Sequence, residues 1–307
     1  MKQSTHGLLV IDKPGGMTSR DAVNRVQGLF PRGTRIGHAG TLDPLATGVL
    51  VLCLGQATRL TEYVQRMQKT YRAGILLGAR SDTDDTDGQI SPVTGAVPPT
   101  SEETKRGLRG FVGAIEQVPP AYSAAKVTGR RAYDLARQGQ GVDLQPRKVQ
   151  IYGIDLVSYA FPHLEIEVRC GKGTYIRSLA RDLGERLGCG ALVESLRRTR
   201  IGPFQVDDAV QLDLPGDAVR ARLLTIAWAV ADLPRLVLAK SEIDPLRQGQ
   251  AIPCHSPLKE AQELAIFDGN DDLVAVGEFD PITQTLHAGK VLSQGARSAS
   301  EELDNPC

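Results

Sequence analysis

A glycine-rich stretch that leads directly into an apolar run constrains the fold of this chain more than any other feature. The stretch spans residues 37–50 and reads GHAGTLDPLATGVL, and its last residues begin an apolar run at 49–54. A short apolar run that follows turn residues is typical of a buried strand. Because Pro44 has a fixed φ and keeps the preceding residue out of the helical region, Asp43 is expected in an extended or turn conformation. The stretch therefore predicts a shaped loop that presents one acid at the edge of a buried strand.

The same Asp43-Pro44 pair also has a simpler interpretation. Asp followed by Pro is common turn chemistry, in which the acid serves only the turn. From this stretch alone, Asp43 is either a residue that only forms the turn or a functional acid that the turn presents. The rest of the chain has to distinguish these two roles.

Hydrophobic periodicity on both sides of the loop predicts a mixture of strands and helices. Strands are expected where apolar residues are continuous or alternate, and helices where they recur three and four residues apart. The predicted strands are 8–11, 71–77 and 164–170, and the predicted helices are 22–30, 57–67, 176–187 and 218–230. A capping-box pattern at Thr18 and Asp21 marks the start of the first helix. Residues 91–104 are rich in Pro, Ser, Thr and Gly, so a loop is predicted there.

A boundary is predicted at Leu233 and Pro234, where the pattern changes to short strands separated by turns. The expected strands are 236–238, 264–267, 273–279 and 285–291, with turn residues at 268–270 and 280–283. This pattern is typical of a small all-β unit. The sequence therefore predicts a larger domain at 1–232, a small β domain at 233–292, and a flexible polar tail at 293–307.

The charge distribution bears on possible partners. The chain has 36 basic and 36 acidic residues, so its net charge is zero. Residues 126–148 nevertheless contain six Lys or Arg against two acids, and residues 169–200 contain eight against three. Local basic stripes matter more for a phosphate-binding surface than the total charge does. The segment 126–148 is also glycine-dotted, so it is interpreted as a flexible flap that closes on RNA, with a short helix around 131–137, although a plain surface loop stays open.

Several other functional classes receive no support. The acidic segment 81–88 lacks the bidentate Glu of a calcium loop, so a polar loop with a positioning role is expected instead. The Gly-Lys-Gly-Thr at 171–174 lacks the spacing of a phosphate-binding P-loop. The five cysteines are scattered without a C-x-x-C, so no metal site or disulfide framework is predicted. The sequence has no apolar segment long enough to cross a membrane, so no membrane span is expected. It also has no signal-peptide pattern, so a cytoplasmic location is expected.

Taken together, these motifs resemble those of the bacterial tRNA pseudouridine-55 synthases, the TruB family. The five matching pieces lie in the family's order and spacing over roughly residues 7–205: they are 7–16, 37–50, 69–78, 118–126, and 171–177 followed by 196–198. No single motif is decisive, but five in register are very specific. The resemblance implies an α+β pseudouridine synthase fold, with a mixed, largely antiparallel central sheet flanked by helices and loops around an active-site cleft. More loosely, residues 233–292 resemble the family's PUA-type RNA-binding domain.

The resemblance also implies catalysis without a cofactor or metal. Asp43 matches the catalytic aspartate that attacks the sugar C1′ or the uracil ring, or assists a glycal route. Arg177 matches the arginine that pairs with this aspartate, and an opposite charge within about 4–6 Å would keep the acid ionised. Tyr71 matches a tyrosine that stacks on the target base and serves as a base toward its C5 proton. Beside this resemblance, a motif with one acid suits an isomerisation better than hydrolysis, which usually needs two carboxylates.

Further positions match residues that bind the substrate. His38 matches a histidine associated with extruding the nucleotide from its stack, and Tyr175 and Leu196 match an aromatic and an apolar wall of the pocket. Lys13, in the same group, is expected to support the packing of the pocket. The insertion at about 119–150 matches a thumb-like clamp on the T arm of tRNA, and its basic residues are Lys126, Arg130, Arg131, Arg147 and Lys148.

The expected function is a monomeric enzyme that isomerises a T-loop uridine of tRNA at position 55. One alternative is a related synthase that depends on a guide RNA. Another, from a different class, is an RNA-folding chaperone whose catalysis is incidental. The basic insertion and the compact length favour the enzyme that acts without a guide RNA.

Overall fold

The computed structural model describes residues 5–123, 126–127, 130–133, 143–254, 260 and 262–293. Apart from Ser293, the predicted tail lies outside these residues, as do 134–137 of the short helix predicted in the insertion. In chain order the strands are β1 (Gly7–Lys13), β2 (Ile36–His38), β3 (Thr47–Leu54), β4 (Lys69–Leu77), β5 (Ala79–Ser81), β6 (Ile90–Pro92), β7 (Gly113–Gln117), β8 (Lys126–Val127), β9 (Arg130–Arg131), β10 (Arg147–Ala160), β11 (His163–Cys170), β12 (Ala191–Ile201), β13 (Phe204–Gln205), β14 (Val210–Gln211), β15 (Arg235–Val237), β16 (Ile252–Pro253), β17 (Gln262–Phe267), β18 (Leu273–Asp280) and β19 (Thr285–Val291).

One large sheet organises the first two thirds of the chain. Its order is β14-β1-β3-β12-β4-β11-β10-β7, with β2 beside β3 and β13 beside β12. The pairs β1–β14 and β3–β12 are parallel, and the other pairs of this sheet are antiparallel. The predicted mixed, largely antiparallel sheet is confirmed.

The strand predicted at 49–54 is confirmed as β3, and it is buried on both faces. Leu50, Leu52 and Leu54 point into one hydrophobic cluster, while Val49 and Val51 point into another on the opposite face. A strand covered on both sides has a continuous apolar run instead of an alternating one. This double coverage is why the run was so clear in the sequence.

The helices agree less closely with the predictions. The α-helices are Ser19–Gln27, Thr61–Arg66, Ser101–Arg109, Ile176–Arg186, Gly216–Arg220 and Lys240–Arg247, and the 3-10 helices are Gly55–Leu60, Val206–Asp208 and Ile226–Val230. The predicted loop at 91–104 was wrong at its end, because a Thr100–Glu103 capping box starts a helix there. That helix buries Thr104 and Gly107 beside Leu108, so its apolar period is weak.

Two other helix predictions need correction. The helix predicted at 57–67 is a 3-10 segment followed by a short α-helix. The single helix predicted at 218–230 was wrong, since two short helices flank an extended residue, Leu224. Leu224 exchanges backbone hydrogen bonds of 2.9 and 2.8 Å with Leu8 of β1. Pairing with the sheet edge thus interrupts a pattern that looked continuously helical.

A second sheet, in the order β15-β17-β18-β19-β16, contains the strands predicted after Pro234. This unit is not wholly β, because the helix Lys240–Arg247 buries Ile243 and Leu246 against it. The helix was not predicted, since it contains Pro245, and proline normally ends a helix. A shared hydrophobic cluster joins the unit to the large sheet. No helix in the described residues is long and apolar enough to cross a bilayer.

Candidate active site

A cavity of about 400 Å³ opens beside the centre of the large sheet. Its wall is made by the loop at 40–46, by the first residues of β4, by the segment 171–177 and by residues of β12. These segments are distant in sequence, but β12 lies between β3 and β4, and Cys170 at the end of β11 pairs with Lys69 at the start of β4. The sheet order therefore brings the predicted motifs to one place, and the cavity has the size of a small-molecule site.

Buried polar contacts hold the loop before β3 in shape. The Ser19 hydroxyl accepts a hydrogen bond of 2.8 Å from the N–H of Leu42 and donates one of 3.0 Å to its carbonyl oxygen. Nζ of Lys13 donates to the carbonyl oxygens of Pro14 and Met17 at 2.8 and 2.7 Å. Lys13 is completely buried and does not line the cavity, so it supports the loop from beneath, as its expected packing role requires.

The loop delivers Asp43 to a buried arginine. Nη2 of Arg177 lies 2.8 Å from Oδ2 of Asp43, and Nη1 lies 3.2 Å from Oδ2 of Asp85. Arg177 is 4% exposed, whereas the Asp43 side chain is 35% exposed and lines the cavity. The expected meeting of Asp43 and Arg177 is therefore present, and the arginine is shared with a second, buried carboxylate that does not line the cavity.

The second carboxylate, Asp85, was not among the predicted site residues. It belongs to the acidic segment 81–88, for which the sequence predicted a positioning role. Its side chain is 4% exposed, and its Oδ1 accepts hydrogen bonds from Thr83 Oγ1 at 2.5 Å and from the N–H of Asp87 at 3.1 Å. Arg177 also donates to the carbonyl oxygen of Thr83 at 2.9 Å. The segment thus fixes the arginine that in turn holds Asp43.

The environment of Asp43 changes its acidity. Burial raises the pKa of the Asp43 carboxyl above its ordinary value, and the facing Arg177 opposes this rise. The negative charge of Asp85 adds to the rise. A carboxylate with this balance is a stronger base and nucleophile than an exposed one, yet its partner arginine favours the ionised form.

Across the cavity, Tyr71 is positioned by a second buried arginine. Arg198 pairs in register with Gly48 of β3 and with Tyr71 of β4. Its Nη1 lies 3.4 Å from the Tyr71 hydroxyl, and its Nε and Nη2 donate to the carbonyl oxygens of Val49 and Gly40 at 2.8 and 3.1 Å. Burial raises the pKa of Tyr71, and Arg198 opposes that shift.

The approach of β12 to β3 requires glycine at position 48. Its φ is +98°, and a Cβ added there would lie 2.2 Å from the Arg198 carbonyl oxygen. Any side chain would therefore separate the strands and displace Arg198. Sequence reasoning placed Arg198 in a basic cluster and missed its buried role, because nothing in the residue type distinguishes a buried arginine from an exposed one.

Other predicted residues complete the wall. Tyr175 and Leu196 line the cavity as expected. The amide of Gln117, a residue that was not predicted, accepts a hydrogen bond of 2.8 Å from the N–H of Tyr175 and donates one of 3.0 Å to its carbonyl oxygen. Lys69, also not predicted, lines the cavity and donates to the carbonyl oxygens of Gln65 and Met67 at the end of a helix. Burial, with Arg198 nearby, lowers the pKa of Lys69 to about 8.

The remaining predicted residues lie elsewhere or outside the described side chains. His38 is on β2, paired opposite Leu52, and within the described part of the chain the cavity wall does not include it. Arg147 and Lys148 are exposed at the start of β10. Lys126, Arg130 and Arg131 form the short pair β8–β9, and their side chains lie outside the described part.

The arrangement suits nucleophilic chemistry on a ligand with a flat ring. Asp43 is held and exposed to the cavity, and Tyr71 and Tyr175 supply aromatic surface. Glycoside hydrolysis usually needs two carboxylates facing the bond to be cleaved, whereas Asp85 is turned toward Arg177 and is not part of the wall. Within the described ranges, no group of three His, Cys, Asp or Glu side chains is arranged to hold a metal ion.

Comparison with known families gives two adjacent matches. The family described as TruB family pseudouridylate synthase (N terminal domain) matches residues 29–176, and the tRNA pseudouridylate synthase B C-terminal domain matches residues 177–221. The first match contains Asp43 and Tyr71, and Arg177 begins the second.

Similar proteins and structures agree with these matches. A protein of Nitrobacter winogradskyi named tRNA pseudouridine synthase B is 44% identical over 262 residues, covering 82% of this chain and 73% of that protein. One of Gluconacetobacter diazotrophicus with the same name is 46% identical over 253 residues, covering 80% and 82%. Among solved structures, an H/ACA RNP bound to a substrate RNA containing 2′-deoxyuridine has a chain with a TM-score of 0.71 at 25% identity, covering 94% of this chain and 85% of that one.

Proposed function

The chain belongs to the TruB family of pseudouridylate synthases, and on that premise we propose that it isomerises uridine to pseudouridine in the T loop of tRNA, at position 55. The observation that carries this proposal is the Asp43 carboxylate, which Arg177 holds at 2.8 Å on the wall of a cavity lined by Tyr71 and Tyr175. The tRNA in the names of the similar proteins supports the substrate class.

The proposed reaction is an isomerisation without net oxidation or hydrolysis. The bond between N1 of uracil and C1′ of the ribose breaks, and a bond between C5 and C1′ forms. C5 loses its proton, and N1 gains one. A covalent intermediate divides such a difficult step into two easier ones, and the carboxylate of Asp43 is the cavity residue suited to form it. Its attack at C1′, its attack at the uracil ring and its assistance to a glycal route are all compatible with this geometry.

Arg177 and Tyr71 have separate roles in the proposal. Arg177 keeps Asp43 ionised and aimed, since its guanidinium contacts the carboxylate directly. Tyr71 stacks on the target base and accepts its C5 proton. Burial raises the pKa of the Tyr71 phenol, and Arg198, close to its hydroxyl, opposes that rise.

The target uridine has to leave its stack before it reaches the cavity, at a cost of a few kcal/mol. We assign to His38 the stabilisation of the extruded state, and to Tyr175 and Leu196 the contacts with the inserted nucleotide. The reciprocal hydrogen bonds between Gln117 and the Tyr175 backbone support this assignment, because they fix the aromatic wall before substrate binds.

We further propose that the segment at 119–150 clamps the T arm through Lys126, Arg130, Arg131, Arg147 and Lys148. Phosphate contacts from such residues give affinity that depends on salt, and Arg147 and Lys148 are exposed as this role requires. Residues 233–292 would act as a PUA-like RNA-binding unit. In this proposal the chain acts as a monomer in the cytoplasm.

Two other functions deserve a direct comparison. Dependence on a guide RNA is favoured by the likeness to a chain of an H/ACA RNP, but that likeness is at 25% identity. Identity to the proteins named tRNA pseudouridine synthase B is higher, at 44–46%. A tRNA-folding role can coexist with catalysis. A variant that binds tRNA without turnover would separate the folding role from catalysis.

The decisive experiment uses the purified chain and an unmodified tRNA transcript labelled with tritium at C5 of uridine. The wild-type protein is expected to release label without any guide RNA, and mapping is expected to place pseudouridine at position 55. Asp43→Asn should lower the single-turnover rate by at least roughly 1,000-fold, because it removes the nucleophile while preserving shape. Asp217→Asn, at an exposed acid that does not line the cavity, is the matched control and should behave as wild type.

Each component of the proposal has its own contrary outcome. Label release only in the presence of a guide RNA would exclude the stand-alone function. Pseudouridine at another position would exclude the T-loop assignment. Unchanged release by Asp43→Asn would exclude the nucleophile.

A further inference from the structure

Tyr152 is a large aromatic residue that the proposed reaction does not use, although it lies beside the cavity. Its side chain is 53% exposed, on a strand whose neighbouring residues Ile151 and Gly153 are buried. The register between β10 and β11 shifts between Ile151 and Gly153, so Tyr152 is the extra residue of a β-bulge. Bulges re-aim a side chain and are frequent next to active sites.

The bulge directs Tyr152 toward the segment that forms one wall of the cavity. The N–H of Gly171 donates a hydrogen bond of 2.8 Å to the carbonyl oxygen of Gln150, two residues before Tyr152. A Cβ added at Gly171 would lie 3.6 Å from the Tyr152 hydroxyl oxygen. Gly171 itself lines the cavity, together with Lys172 and Gly173. The hydroxyl end of the exposed ring therefore lies next to one segment of the cavity wall.

The glycine that follows Tyr152 leaves room for an arginine of the neighbouring strand. A Cβ added at Gly153 would lie 2.5 Å from Nη2 of Arg169, so the guanidinium occupies the space that a side chain would need. Arg169 also lies 3.3 Å from Asp155. At this bulge, Tyr152 therefore supplies an exposed ring, and Gly153 leaves space for the guanidinium of Arg169.

The same strand offers a cation for the RNA backbone. Lys148 and Tyr152 are both exposed on this strand, whereas Val149 and Ile151 between them are buried. Surfaces that bind unpaired nucleotides usually combine exposed aromatic rings with basic residues, because the ring stacks on a base and the cation contacts a phosphate.

From these observations we infer that Tyr152 is a stacking platform for the nucleobase adjacent to the flipped uridine. This inference rests on the proposed function, and it adds a substrate contact outside the cavity. Extruding one nucleotide breaks the stack of its neighbour as well. A ring at the rim replaces that lost stacking partner and holds the strand in register with the cavity.

The test measures tRNA binding in the Asp43→Asn background, where turnover is removed. Tyr152→Ala is expected to weaken binding by roughly 5- to 150-fold, the usual effect of removing one stacked aromatic. Tyr152→Phe keeps the ring, so its affinity for tRNA should be close to that of the Asp43→Asn protein with Tyr152 intact. Trp228→Ala, which removes another exposed aromatic, is the matched control and should leave binding unaltered. Circular dichroism melting checks that each variant is folded.

A second measurement connects the ring to one nucleobase. Two transcripts lack the base on either side of the target uridine. One of these two transcripts should bind the protein with Tyr152 more weakly than the intact transcript does. The same transcript should bind the Tyr152→Ala protein about as well as the intact transcript does. Equal losses in both proteins for both transcripts would overturn the inference, as would tight binding by Tyr152→Ala. If the wild-type chain converts tRNA while either result is found, the inference fails and the proposed function stands.

Discussion

The cavity has two buried arginines, and the protein holds them in different ways. On one side, Arg177 faces two carboxylates, at 2.8 Å from Asp43 and 3.2 Å from Asp85. On the other side, Arg198 is 1% exposed, and within the described residues its hydrogen bonds go to uncharged groups. The first arginine therefore sits in a group whose formal charges sum to minus one, and the second is a cation surrounded by dipoles.

This difference separates an electrostatic function from an architectural one. In the proposed mechanism Arg177 fixes the position and charge state of the Asp43 carboxylate, and its absence would leave Asp43 and the buried Asp85 without their common cation. Arg198 bridges the carbonyl oxygens of Gly40 and Val49, and so joins the loop and β3 to its own strand. Its charge reaches the chemistry indirectly, through the phenol of Tyr71.

Of the two arginines, Arg177 is expected to show the larger effect when it is replaced, in Arg177→Met. Removing one partner of a buried ion pair typically costs about 3–5 kcal/mol of the free energy of unfolding. The single-turnover rate should fall by at least roughly 100-fold, because the Asp43 carboxylate loses the group that aims it. Urea denaturation and single-turnover assays with tRNA measure the two quantities.

A double variant shows whether the loss is electrostatic. Arg177→Met with Asp85→Asn leaves one fewer uncompensated carboxylate, so part of the stability should return while turnover stays low. If the double variant is no more stable than Arg177→Met, the loss arises from packing, and the distinction between the two arginines breaks down.

A smaller effect on turnover is expected for Arg198→Met. This change leaves the carbonyl oxygens of Val49 and Gly40 without their donor, which costs about 1–3 kcal/mol of stability. Turnover should fall on the order of tenfold, since Tyr71 is less firmly placed. Thermal unfolding and single-turnover rates provide the measurement. A greater loss of turnover here than in Arg177→Met would reverse the assignment of the two roles.

The sequence predicted the parts of the fold that have strong local signals. The run at 49–54 and the alternation at 164–170 gave β3 and β11, because burial on one or both faces appears directly in the residue pattern. The helix Ser101–Arg109 was missed because it buries small or polar residues, and the predicted helix at 218–230 was interrupted by backbone pairing between Leu224 and Leu8. Neither the burial of small residues nor a distant pairing is visible in a local pattern.

The site was predictable where a motif carried it. Asp43, Tyr71 and Arg177 were identified by resemblance, and the structure brings all three to one cavity. Arg198 and Gln117 were missed, because their importance comes from which backbone atoms they meet across the sheet. A buried polar residue looks the same in sequence as an exposed one, so its function becomes visible only when its partners are known.

The finest distinction between the two sides of the cavity is a pH dependence. Burial raises the pKa of Asp43, and the charge of Asp85 adds to that rise. Because the proposed mechanism uses the ionised carboxylate, turnover should fall as the pH drops through this raised pKa. Asp85→Asn removes the added charge, so the acid limb of the single-turnover profile should move to lower pH. Asp84→Asn, at the neighbouring acid that pairs with Arg181, is the control and should leave the limb in place. A limb that moves upward, or that moves equally in both variants, would show that Asp85 does not set the acidity of Asp43.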